Sequence, residues 1–130
     1  MNQAALKEYQ AIGVQSGVTD ANPHRLIGML LAGALDRVAS AKGAIARGEI
    51  RSKGELLSAV IAIVDSLRAS LDHERGGEIS GNLASLYDYI EQLLVQANLD
   101  DDVKQLDEVS SLLTEIKQGW DSIPVDARHV

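Results

Sequence analysis

The sequence predicts an all-α protein, an antiparallel up-down four-helix bundle with a short N-terminal helical segment. Alanine and leucine dominate, and the chain contains only two prolines. In four stretches apolar residues recur at steps of three and four, which is the spacing of a helix face that packs against other helices. No stretch alternates apolar and polar residues, so a sheet is not expected. Helices of similar length with short connections favour the up-down order.

The first helix is expected to begin at Pro23 and to end near Gly48. Asn22 is a good N-cap residue, and proline is favoured at the first helical position. A glycine just after the last apolar position is typical of a helix C-terminus. The apolar seam predicted to face the core is Ile27, Leu31, Ala34, Val38, Ala41 and Ile45.

The second helix is expected to end at the glycine pair 76–77, and the third near Asn98. The acidic run "LDDD" at 99–102 should open the fourth, because negative charge favours a helix N-terminus. The three seams are Leu57, Val60, Val64, Leu67 and Leu71; Leu83, Leu86, Ile90, Leu93 and Ala97; and Leu106, Val109, Leu113, Ile116 and Trp120.

One domain should account for the whole chain, 1–130. Residues 1–20 contain Gly13, Ser16, Gly17 and Thr19, and they are predicted to be a short helical N-terminal segment on a flexible tether. The bundle is predicted to span 21–120. The last stretch, 121–130, is predicted to be a tail.

Composition excludes several classes of function. The chain of 130 residues has 19 acidic and 12 basic residues, a net charge of −7, and no basic cluster, so a nucleic-acid partner is not expected. Cysteine is absent, which fits a reducing compartment. No apolar stretch reaches the ~20 residues of a membrane span, and no signal peptide is visible. We therefore expect a soluble cytoplasmic protein without membrane insertion.

Catalytic and metal sites are not expected either. The histidines His24, His73 and His129 are far apart in the sequence, and none belongs to the Glu-x-x-His pattern that builds metal sites in bundles. Glycines 76, 77 and 81 loosely suggest a phosphate loop, but that motif requires a preceding strand. The sequence predicts a protein that is not an enzyme and holds no metal and no cofactor.

Two of the three tyrosines, Tyr87 and Tyr89, stand two positions apart on the third helix. At about 100° per residue they fall on opposite flanks of the seam, and their angles from its centre are equal. Tyr87 has Leu94 on its side, so packing at the bundle edge is as good an explanation as binding. Tyr89 lies among polar residues and is the better candidate for contact with a partner.

Other apolar residues also fall outside the seams. Two interpretations stay open for each of them: a broad core face with scattered surface residues, or a groove that another helix could fill. The candidates for partner binding are Leu26, Met29, Ile61, Ile63, Tyr87, Tyr89, Val103 and Leu112.

Three stretches together resemble the flagellin-specific export chaperone family, FliS. They are "NPHRLIGMLLAGAL", "LRASLDHERGGEISGNLASLYDYIEQLLVQAN" and "LDEVSSLLTEIKQGW". The most specific part is the ordered series of leucine-aspartate, "GGEI", "NL", "LYDY" and a closing "AN". The resemblance runs from Tyr9 to Trp120, nearly the whole chain.

The resemblance implies a helical bundle that binds the disordered C-terminal segment of flagellin in the cytoplasm. Binding would prevent premature polymerisation, and the complex would deliver flagellin to the cytoplasmic domain of the flagellar export gate. It also implies that Leu6 and Tyr9 dock on that gate, and that their segment can cover a client site. No cofactor is implied. The alternative is a helical adaptor or scaffold that binds another amphipathic segment.

Overall fold

The computed structural model describes residues 22–123, and these residues form helices without any strand. The predicted all-α four-helix bundle is confirmed. The predicted N-terminal segment and most of the predicted tail lie outside the described residues. The helices are α1 (Pro23–Ala46), α2 (Ile50–Ala69), α3 (His73–Asp100) and α4 (Val103–Ser122).

The start and the end of α1 follow the prediction. The Asn22 side chain accepts a hydrogen bond of 2.8 Å from the backbone N–H of Arg25 and caps the helix. Pro23 occupies the first position, where its missing N–H costs nothing. Gly48 follows the last turn with a φ of 71°, a backbone conformation that favours glycine.

The glycine pair 76–77 does not end α2, so this prediction is wrong. α2 ends at Ala69, and α3 begins before the glycines because the Asp72 side chain caps a new first turn. Gly77, with φ 51° and ψ −122°, then interrupts that helix near its start. The glycines therefore break the beginning of α3 instead of stopping α2.

α3 continues to Asp100, two residues beyond the predicted end at Asn98. Asp101 stops it in the left-handed conformation, with a φ of 53°. The side chain of Asp102 then accepts a hydrogen bond of 2.9 Å from the backbone N–H of Lys104 and caps α4. The prediction that the acidic run opens the fourth helix is confirmed.

The helices form an antiparallel ring in which α1 and α3 each pack chiefly against α2 and α4. Two ion pairs show that neighbouring helices run in opposite directions, because each joins the end of one helix to the start of its neighbour. Lys42 late in α1 pairs with Asp107 early in α4 at 2.7 Å. Lys53 at the start of α2 pairs with Asp101 at the end of α3 at 2.5 Å. Each helix therefore buries two flanks, one against each neighbour.

The core runs along the middle of this ring. Most of the predicted seam positions are buried, and small side chains on α1, such as Ala34 and Ala41, let its neighbours come close. Leu30 and Leu94 are also fully buried, although neither belongs to a predicted seam. The seam positions that are only partly buried and pack against the core are Ile27, Ile45, Leu71, Leu83, Leu86 and Ile116.

Candidate partner-binding surface

The two neighbouring tyrosines of α3 have opposite environments. Tyr87 is 3% exposed and belongs to the core, whereas Tyr89 is 42% exposed. At about 100° per residue, the centre of the buried arc is turned about 30° from the predicted seam toward Tyr87. The neighbour Leu94, fully buried on the same side, shows the same rotation. Tyr87 is therefore a packing residue, which is the first of the two explanations left open for it, although it lies deeper in the core than the edge of the bundle.

Leu26 on α1 and Ile63 on α2 are also buried, so of the two interpretations left open for them the broad core face applies. The physical reason is that each helix packs against two neighbours, which widens the buried arc beyond one seam. Neither side chain offers surface to a partner while the bundle is closed.

The other candidates retain accessible surface. Ile61 and Leu112 are partly buried and pack against the core. Met29 on α1 is also partly buried, and Val103 is exposed at the first position of α4. Contact with a partner remains a prediction for these residues. Leu6 and Tyr9 lie outside the described residues.

Tyr89 stands at the edge between α3 and α4. Its hydroxyl donates a hydrogen bond to the carboxylate of Glu108 on α4. This hydrogen bond raises the pKa of Tyr89 above its ordinary value, and partial desolvation and the negative charge of Glu108 act in the same direction. Farther along the same edge, the Gln105 amide donates to Gln96 at 2.9 Å. The exposed ring thus has a fixed polar tip and a free apolar face.

An open groove of about 610 Å³ lies along α3 beside this edge. Its lining mixes carboxylates, amides and one exposed apolar side chain: Asp88, Glu91, Gln92, Val95 and Gln96. Val95 is 49% exposed, and Leu99, one turn farther, is 78% exposed. Sequence reasoning missed both, although each is an apolar residue outside the predicted seam of the third helix.

The carboxyl of Glu91 is the most perturbed group of this groove. Burial, then the facing carboxyl of Asp65 on α2, together raise the pKa of Glu91 to about 7, although the guanidinium of Arg68 acts in the opposite direction. Arg68 also pairs with Asp88 at 3.2 Å. A glutamate that changes charge near neutral pH therefore lies where α2 meets the groove.

Other kinds of site find little support in this part of the chain. Residues 22–123 contain no group of three or more histidine or carboxylate side chains that could hold a metal ion. His24 is hydrogen-bonded to Trp120, and His73 is exposed at the start of α3. None of the helices that the structure describes is both long enough and apolar enough to span a bilayer.

A family model described as flagellar protein FliS matches residues 5–127 of the chain. The chain belongs to the FliS family. The resemblance stated from the sequence motifs is confirmed, and it covers the bundle together with part of each end outside the described residues.

Relatives of this FliS chain are similar over most of their own length. The flagellar secretion chaperone FliSB of Pseudomonas aeruginosa is 51% identical over 119 residues, which are 92% of this chain and 94% of that protein. The flagellar secretion chaperone FliS of Vibrio cholerae is 40% identical over 128 residues, 98% and 94% of the two chains. The corresponding chaperone of Salmonella typhimurium is 43% identical over 121 residues, 92% and 90%.

These names describe a secretion chaperone and not an enzyme. A flagellar export chaperone needs a surface for a protein substrate, and helical proteins can bind such a segment through exposed apolar side chains. The α3 groove and the exposed apolar residues beside it are therefore the candidate site.

Proposed function

We propose that this FliS-family protein is a cytoplasmic chaperone that binds the disordered C-terminal segment of flagellin, prevents its premature polymerisation, and delivers it to the export gate. The relatives' names support a flagellar secretion chaperone. The observation that carries the client-binding part is the exposed apolar surface along α3, formed by Tyr89, Val95 and Leu99.

The spacing of this surface suits a helical partner. Val95 and Leu99 are four residues apart and therefore share one face of α3. Val103 is exposed just beyond the turn that follows Leu99, and Tyr89 lies on the α4 side of the same helix. An amphipathic segment laid along this face would bury its own apolar stripe on these side chains.

The energetics favour an apolar interface. A disordered segment that orders on binding loses ~2–5 kcal/mol of its gross contact energy. Exposed ion pairs contribute only about 0–1 kcal/mol each, so apolar burial must supply the remainder. We expect calorimetry with a flagellin C-terminal peptide to show a negative heat-capacity change and little dependence on salt.

The site is tested by making it polar without changing charge. Val95→Gln and Leu99→Gln should together weaken peptide binding about tenfold or more, because each removes apolar area that binding would bury. Melting curves should stay nearly unchanged, since both side chains are exposed. Titration calorimetry on the full chain measures the affinity.

The matched control is Ile79→Gln, which removes an exposed apolar side chain near the opposite end of α3. It should leave peptide affinity unchanged. If the wild type and the Val95/Leu99 variant bind the peptide with equal affinity, the client does not bind this face. No binding by the wild type would contradict the proposed client.

Delivery is tested separately through Leu6 and Tyr9. If they dock on the gate, changing both to alanine should leave peptide binding intact and reduce flagellin export and motility. If their segment only covers the client site, the same change should tighten peptide binding and leave export unharmed. A loss of stability as large as that of a core substitution would contradict both roles.

A further inference from the structure

We propose that Glu91 and Asp65 form a proton-sensitive contact between α2 and α3, which is tight when Glu91 is protonated and loosens when it ionises. This device concerns the chaperone itself and does not depend on the identity of its client. It consists of the contact between Glu91 and Asp65 and of the backbone segment that connects α2 to α3.

The contact brings two carboxyls together at a place where one oxygen of Glu91 is shielded from water. The Oε1 atom of Glu91 has no hydrogen-bond partner and no solvent contact. The carboxyl of Asp65 lies within hydrogen-bonding reach of Glu91 from the facing side of α2. With one shared proton the pair forms a bond across the interface, whereas two ionised carboxylates repel each other in a site of reduced polarity.

The charged neighbours do not remove this repulsion. From α2, Asp65 and Arg68 act on Glu91, and from its own helix Asp88 does so. Arg68 is the one cation of this set, and it also pairs with Asp88 at 3.2 Å. On α4, which packs against the other flank of α3, Glu108 accepts the hydrogen bond of Tyr89.

The sign of the effect follows from the direction of the pKa shift. Burial and Asp65 raise the pKa of Glu91 from its ordinary value of 4.5 to about 7. A raised folded-state value means that the proton stabilises the closed contact. This stabilisation is complete below pH 4.5, declines as the pH rises, and is lost above about pH 7.

The chain between the two helices allows a local separation. α2 ends at Ala69, and the non-helical Gly77 interrupts α3 before its continuous part. The hydroxyl of Ser80, which is buried, donates to the Asp72 carbonyl at 3.0 Å and ties the first turn back to the cap. Because the connection is not one rigid helix, α2 and α3 can part without bending either helix in its middle.

Hydrogen exchange on the full chain between pH 5 and pH 8 tests the device. After correction for intrinsic exchange, the opening equilibrium constant of amides in 60–69 and 84–95 should rise about tenfold between pH 5 and pH 8. This factor is smaller than the full pKa shift would give, because the site is partly solvated. In Glu91→Gln, which mimics the protonated group, the same amides should stay closed throughout. Amides of α1 that do not face α2 serve as the internal control, and their opening should not change with pH.

Two further variants make the result specific. Glu115→Gln removes a carboxylate from an exposed position of α4 and should keep the wild-type rise. Asp65→Asn removes the facing charge, so the remaining rise should be smaller and should begin at lower pH. The proposal is overturned if Glu91→Gln retains the wild-type rise, if the wild type shows none, or if opening increases equally in all four helices.

Discussion

His24 and Trp120 are joined by two reciprocal hydrogen bonds and a ring stack, although 96 positions separate them in the chain. The Nε2–H of His24 donates to the Trp120 carbonyl at 2.9 Å, and the indole N–H of Trp120 donates to the His24 carbonyl at 2.9 Å. The rings lie 4.7 Å apart at an angle of 12°. The first turn of α1 is thereby fixed to the last turns of α4.

Loss of this pairing should destabilise the bundle. His24→Ala leaves a partly buried carbonyl and an indole face without their partner, so we expect the free energy of unfolding to fall by about 1–3 kcal/mol. Trp120 is the only tryptophan, so a changed emission spectrum would report the same end of the bundle. His73→Ala, at an exposed histidine, is the control and should change stability by less than about 0.5 kcal/mol.

Lys53 should matter more than an ordinary surface lysine. Its buried ammonium donates to the Asn98 carbonyl at 2.8 Å and to the Asp101 carboxylate at 2.5 Å. Lys53→Ala leaves that carbonyl at the end of α3 unsatisfied and should cost about 1–3 kcal/mol. Lys42→Ala breaks a more exposed ion pair with Asp107 and should cost only about 0–1 kcal/mol. Urea unfolding of both variants measures the difference, and equal losses would contradict this role of Lys53.

Core leucines should differ according to their burial. Leu113 is fully buried, and Leu113→Ala should cost about 2–5 kcal/mol. Leu86, which belongs to a predicted seam, is only partly buried because α3 is rotated toward Tyr87. Leu86→Ala should therefore cost less than Leu113→Ala in the same denaturation experiment. A larger loss at Leu86 would contradict the observed rotation.

Gly77 should resist replacement although it has room for a side chain. A Cβ there would meet nothing within 4 Å, but its φ of 51° with ψ of −122° is unfavourable for any other residue. Gly77→Ala should cost about 1–3 kcal/mol through backbone strain. Gly81→Ala, in the helical part of α3, also has free space and should be neutral or stabilise by up to about 1 kcal/mol. Thermal melts of the two variants distinguish strain from crowding.

The helices and most of the core could be predicted because their periodicity is local. Asn22 and Pro23 mark the start of α1, and Leu106, Val109 and Leu113 repeat at the spacing of a packed face. The rotation of α3 could not be predicted from the sequence, since it depends on how α3 packs against both α2 and α4. For the same reason Tyr87 and Tyr89 could not be distinguished by angle.

Buried charges gave no signal in the sequence. Lys53 is buried because Asn98 and Asp101, more than forty positions away, supply its partners. Glu91 depends in the same way on Asp65 from another helix. The family could be recognised from ordered motifs, whereas Val95 and Leu99 emerged as a candidate surface only when their exposure was known.

The contact of His24 on α1 with Trp120 on α4 also determines the order in which a growing polypeptide can complete its bundle. Of the four helices in residues 22–123, translation produces α1 first, and α2 can cover one of its flanks as soon as it follows. The other flank must wait for α4, the last of these four to be synthesised, and for Trp120 to reach His24. Until then the nascent chain exposes leucine and alanine side chains that the complete bundle buries. This chaperone is therefore itself prone to aggregation while it is being synthesised.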